Sequence, residues 1–187
     1  MIDCISHCLI CGKESKNSAH IFGNCPIAAT VWSFDEYTAT ILNANWRKPP
    51  FQSVKLNFDA VVKDNKNYFG ISVVARDHMG YLLAAHATSL PGNLNSHYAK
   101  HYAARAAVML ARELSLQNVI FEGDSLNVIR ELKENNLNLS IIDLCLLDTQ
   151  MILSTFPCVE LTHIRREGNE AAHSFAQFAL SSSESIL

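Results

Sequence analysis

An α/β domain on a five-stranded mixed sheet, three antiparallel strands followed by two parallel ones and flanked by helices, is the architecture this chain predicts. A small Cys/His-rich segment precedes it. Three observations point there. The runs Lys55–Val62, Tyr68–Arg76 and Tyr81–Thr88 are rich in β-branched, aromatic and aliphatic residues and are separated by KDNKN and DHMG, spaced for hairpins. Ser96–Ser115 is rich in Ala and Leu with apolar residues at helical spacing, which predicts a long helix. After it, short apolar runs alternate with helical patterns, giving the order βββ-α-β-α-α-β-α.

The later elements follow from local chemistry. Asn118–Gly123 is a short apolar strand, and Ser125 caps a helix running to about Lys133. Ile141–Leu153 carries an apolar face and reads as a further helix. Cys158–Arg165 reads as the fifth strand, and Glu170–Leu180 as a closing helix. Upstream, residues 1–34 are rich in Cys, His, Asn and Ser, with a short helix expected over Pro26–Phe34. Residues 35–51 lack periodicity and end in RKPPF, whose Pro49-Pro50 pair stiffens the backbone as in a linker. The division is therefore 1–34, 35–51 and 52–187.

Composition narrows the function classes. The chain has 187 residues, 49% hydrophobic and 18% charged, as expected of a globular protein with one domain and a small appendage. The net charge is −3. Affinity for nucleic acid is driven largely by counterion release against a basic surface, and that footprint is missing, so any such binding should be weak or assisted. Four of the six cysteines crowd the first 25 residues, unlike a secreted disulfide framework. The start, MIDCISHCLI, has neither the basic region nor the apolar core of a signal peptide. No run approaches the roughly 18 apolar residues of a membrane span. The expectation is an intracellular protein, nuclear or cytoplasmic, with reduced thiols and treated as a monomer.

Chemistry concentrates at the ends of two strands. In KLNFDA, Leu56, Phe58 and Ala60 share one face, leaving Asn57 and Asp59 on the other. Asp124 closes the strand before the Ser125 cap, where sites form in open sheets. Carboxylates delivered by different strands suit a divalent cation. On the long helix, Lys100 falls on one stripe with Ala104, Ala107 and Ala111, in phase with the buried face. Taken singly, Asp124 reads first as a turn or capping residue, and Lys100 as a snorkelling first-turn lysine.

Together with KLNFDA, three further segments, the VVARDHMG hairpin, AARAAVMLARELSLQNVIFEGDS and THIRREGNEAAHSFAQFAL, occur in family order. Over about 127 of 187 residues, Val54 to Leu180, the chain resembles the ribonuclease H-like domain associated with plant non-LTR reverse transcriptases. The resemblance implies a ribonuclease H-like fold and Mg2+-dependent endonucleolytic hydrolysis of RNA in an RNA–DNA hybrid, through four acidic residues holding two cations. Carried over by motif, the first acid is Asp59 and the third Asp124. The helix glutamate position holds Lys100, and the last acid of the NxxAD pattern is His173, after Asn169. Neutral histidine can still ligate a metal. Lysine reverses the local charge. At ~4 Å and an effective dielectric of about 20, one unit-charge contact amounts to on the order of 4 kcal/mol. Micromolar metal affinity amounts to only about 8 kcal/mol. Mg2+ at Asp59 and Asp124 should be lost or weakened, with Lys100 pairing to both.

The same resemblance makes His163 the counterpart of a loop histidine that helps product leave, with a plain strand-end histidine as the alternative. Arg165, Arg166 and Asn169 are the candidate nucleic-acid contacts, although Arg165 and Arg166 could equally pair with Glu167 or Glu170.

Cys8, Cys11, His20 and Cys25 have the spacing C-x2-C-x8-H-x4-C, which offers four ligands for a closed, structural Zn2+ site. CLICGKESKNSAHIFGNCPIAATVW resembles the terminal half of the zinc-binding module found beside plant reverse transcriptases. Spectator thiols are the alternative, with Cys4 and His7 as bystanders and Cys145 and Cys158 as core residues. Three functions remain open: a hybrid ribonuclease, an inactive retroelement-derived binding module, and a zinc-dependent protein-interaction module.

Overall fold

Alternation in VKLNFDAVV sends Leu56, Phe58 and Ala60 of strand β1 (Val54–Val62) into the main apolar core and leaves Lys55, Asn57 and Asp59 for the opposite face. The computed structural model of the protein describes residues 46–63, 67–134 and 141–181, with backbone only at 141–143. β1 pairs antiparallel with β2 (Tyr68–Arg76), which pairs antiparallel with β3 (Leu82–Pro91). On its other side β1 runs parallel to β4 (Asn118–Gly123), and β4 runs parallel to β5 (Cys158–His163). The sheet order is β3-β2-β1-β4-β5, so the expected five-stranded mixed architecture is the observed one.

Helices cover both faces. Asn95 opens α1 (Ser96–Glu113) by accepting from the Tyr98 amide at 3.0 Å. Its buried Ala99, Ala103, Ala104, Ala107 and Ala111 bring the helix close to the sheet. Ser125 caps α2 (Leu126–Lys133), and α3 (Ile141–Leu153) completes that layer. Phe58 and Phe121 lie at the centre of the resulting core with Val108, Val128 and Ile152. Burial of each large side chain contributes about 1.5–3 kcal/mol.

A 3-10 turn (Arg166–Gly168) then leads into α4 (Glu170–Ser181), which buries Ala172, Phe175, Ala176 and Ala179 against the other face. The contact is close because β2 carries Gly70 there, where any Cβ would collide with the Ala176 carbonyl oxygen. The Ser72 hydroxyl, on the same face of β2, donates to the Ala172 carbonyl.

Several expectations change. The third strand runs to Pro91 instead of Thr88, and the fifth stops at His163 instead of Arg165, just before the 3-10 turn. Trp46, in the segment read as linker, packs on the sheet: its Nε1 donates to Asn57 Oδ1 at 2.8 Å, and Lys55 and Arg76 lie over its ring at 5.5 and 5.0 Å. Cys158 is exposed instead of buried, because it opens the edge strand β5. Cys145 is half-buried, and burial pushes its thiol pKa up. Among the described residues no helix is long and apolar enough to cross a membrane. The expected ligands Cys8, Cys11, His20 and Cys25, and the helix over residues 26–34, lie outside the described residues.

Candidate functional site

Register alone brings the two aspartates together. Phe58 pairs with Gly123 across the parallel β1–β4 ladder, so the next residue of each strand, Asp59 and Asp124, lies at the same end of the sheet. Gly123 is required at that crossing, since a Cβ there would lie 2.6 Å from the Phe58 ring. Asp59 faces Ser72 on β2 and is fully buried (0% exposed).

Three basic side chains converge on this pair from three other elements. Lys100, one turn into α1, places Nζ 2.9 Å from Asp59 Oδ1 and hydrogen-bonds Asp124 Oδ1, with only 10% of its side chain exposed. Arg166 of the 3-10 turn places Nη1 2.8 Å from Asp124 Oδ2 and 3.7 Å from Asp59 Oδ2. His173, in the first turn of α4, places Nδ1 2.9 Å from Asp59 Oδ2. Arg166 Nη2 lies 2.8 Å from His173 Nδ1 and 2.9 Å from its Nε2. Every oxygen of the two carboxylates thus has a basic neighbour. Leaving His173 aside, the charges of the cluster sum to zero: two carboxylates, one ammonium, one guanidinium.

Electrostatics of the cluster show at Asp124. Burial works to raise its pKa, but the hydrogen bonds from Lys100 and Arg166 and their charges outweigh burial and lower it. A carboxylate with a depressed folded pKa stabilises the fold fully above its unfolded value of about 3.9, and that contribution disappears as pH falls toward the folded value. Unfolding midpoints measured from pH 6 downward should therefore drop below about pH 4. Asp124→Asn should flatten that part of the profile; an unchanged slope would contradict the assignment.

Beneath the cluster lies a buried polar network on the same face. Glu122 of β4 accepts from Lys55 Nζ at 3.0 Å, from Asn57 Nδ2 at 2.9 Å and from the Thr162 hydroxyl at 3.2 Å. Asn57 Nδ2 also donates to Asn169 Oδ1 at 3.2 Å, and Asn169 Nδ2 donates to the Phe58 carbonyl at 2.9 Å. Asn169, expected as a nucleic-acid contact, is therefore buried under the site and ties the start of α4 to β1. Arg165 is exposed. His163 ends β5 opposite Gly123 and is exposed, outside the cluster of five. Arg166, expected on phosphate or on Glu167 or Glu170, is instead bonded to Asp124. The alternation at Lys55, Asn57 and Glu122 was a visible sign of a polar sheet face; nothing in the spacing located Arg166.

The fold is that of ribonuclease H. Ribonuclease H1 from the halophilic archaeon Halobacterium salinarum superposes with a TM-score of 0.64 at 23% identity, covering 69% of this chain and 98% of that one. A ribonuclease H1 solved in complex with an RNA/DNA hybrid gives 0.62 at 19% identity, covering 68% and 96%. The foamy viral protease-reverse transcriptase, also solved with an RNA/DNA hybrid, gives 0.57 at 17% identity over 74% of this chain and 21% of its own. The sequence profile described as reverse transcriptase-like matches residues 57–179, well over half the chain. The protein belongs to the reverse transcriptase-like family. No curated protein matches it significantly in sequence.

Proposed function

We propose that this domain is a nucleic-acid-associated ribonuclease H-like module whose hydrolytic centre is neutralised from within, so that Mg2+-dependent cleavage of an RNA–DNA hybrid is lost or residual. One observation carries the reading: the Lys100 ammonium contacts both Asp59 and Asp124. A two-cation centre needs carboxylate oxygens open to the ions and a net negative cradle. Here the residues do not fit that requirement, because Lys100, Arg166 and His173 lie against the four oxygens and Lys100 and Arg166 cancel their charge. Metal entry would have to displace a lysine whose side chain is nine-tenths buried. No catalytic step through a metal is therefore assigned to this chain.

Association with nucleic acid is supported by the family and by fold neighbours solved with RNA/DNA hybrid. On this chain Arg165 is exposed beside the cluster, whereas the charge of Arg166 is taken up by Asp124. Since the whole chain carries −3, binding should be weak, with the shallow salt dependence of few phosphate contacts.

The test is cleavage of a labelled hybrid in Mg2+ and in Mn2+ by the wild type, by Lys100→Glu and by Asp59→Asn. The wild type should stay at background, and Lys100→Glu should exceed it by at least about tenfold. Wild-type cleavage that disappears in Asp59→Asn would overturn the proposal.

A further inference from the structure

Away from the aspartate cluster, His97 and His101 occupy positions one turn apart on α1 and so share a face, and that face meets Glu131 of α2. His97 Nε2 lies 3.2 Å and His101 Nε2 2.7 Å from the same oxygen, Glu131 Oε2. One ligand atom from each of the three residues falls within 4.8 Å of the others. The two rings meet edge to face with centroids 5.0 Å apart, and both Nε2 atoms point toward Glu131 Oε2.

We infer that His97, His101 and Glu131 form a binding site for a zinc-class divalent cation bridging α1 and α2. Two imidazole nitrogens and a carboxylate oxygen are a borderline donor set, suited to zinc and its first-row neighbours more than to magnesium or calcium, which favour all-oxygen shells. Histidines at i and i+4 present two ligands from one helix face with no backbone adjustment. Tetrahedral zinc with bonds of about 2.0–2.1 Å holds its ligand atoms roughly 3.3 Å apart. The observed 2.7 and 3.2 Å separations from Glu131 need only a small opening to admit the ion.

Exposure fits this assignment. His101 is buried to 2% and anchors the site from inside, whereas His97 and Glu131 remain 34% and 39% exposed. Their open side leaves an entry path and a fourth coordination position for water. The placement also bears on the neutralised centre. Lys100 lies between the two histidines on α1, and Asp124 lies two residues before α2. A cation joining those helices would hold Lys100 against Asp124. This consequence concerns the position of the lysine; the cation site itself stands whether or not the domain cleaves nucleic acid.

The experiment uses the full chain, stripped of metal with a chelator, and titrated with Zn2+ by equilibrium dialysis, then with Co2+ by absorption spectroscopy. Variants are His97→Gln and Glu131→Gln, both at partly exposed positions; wild-type folding is checked by circular dichroism. Cys8, Cys11, His20 and Cys25 are unchanged in all three proteins, so their uptake cancels in the comparison. Wild type should bind one more equivalent of Zn2+ than either variant. The Co2+ difference spectrum should show d–d bands without a thiolate charge-transfer band. Zinc should raise the unfolding midpoint of the wild type more than that of the variants. Equal zinc uptake by wild type and both variants would overturn the site, as would a Co2+ difference spectrum carrying thiolate charge transfer.

Discussion

Replacing Lys100 by methionine, which keeps the stem and removes the charge, is expected to cost about 3–5 kcal/mol of stability at neutral pH. The reason is what remains. Asp59 is fully buried and the Asp124 side chain is only 5% exposed, so two like charges would lose the cation that contacts both. Arg166 softens the loss but is half exposed and reaches Asp59 only at 3.7 Å. Urea unfolding with the slope held constant measures the effect, and the deficit should shrink on acidification as the carboxylates take up protons. Lys100→Glu extends the argument. Three carboxylates in one pocket should make the fold depend on millimolar Mg2+, whereas wild-type stability should not respond to Mg2+ at all. A wild type stabilised by Mg2+ as strongly as Lys100→Glu would contradict the internal-cation account.

The second large effect is expected at Glu122→Ala, again about 3–5 kcal/mol. Lys55 and Glu122 are each about nine-tenths buried and 3.0 Å apart, and Glu122 also holds Asn57. Truncation leaves the Lys55 ammonium with the Arg47 carbonyl at 2.7 Å as its remaining hydrogen-bond partner, a dipole in place of a charge. Replacing both partners, Lys55→Met with Glu122→Met, should destabilise less than either single change, because an apolar pair leaves no orphaned charge. A double variant with the summed cost of the singles would show that the two side chains act independently.

Much of the architecture was legible because it rests on local periodicity. Alternation through Lys55–Val62, the DHMG turn, the alanine-rich helix after Asn95 and the Ser125 cap each specify an element from a few neighbouring residues. Boundaries at the edges were not: β5 ends at His163, shortly before the turn at Arg166–Gly168, and Cys158 is exposed because β5 has no outer partner among the described residues. Trp46 was assigned to a linker since its contacts, Lys55, Asn57 and Arg76, lie beyond the reach of local periodicity. The phase of Lys100 with Ala104 and Ala107 marked it as buried before any contact was known.

By itself, then, the sequence determined the order of elements, the carboxylate pair Asp59 and Asp124, and the lysine in phase with the buried helix face. Tertiary structure decided the company those residues keep: Arg166 against Asp124, Asn169 beneath the site, Glu122 on Lys55, and Glu131 between two histidines. The physical reason is the range of the interactions. Hydrogen-bonded turns and apolar periodicity act within about one turn of helix or one hairpin. Charge neutralisation joins side chains separated by scores of residues, and only the packing of α1, β4 and the 3-10 turn brings those charges within a few ångströms.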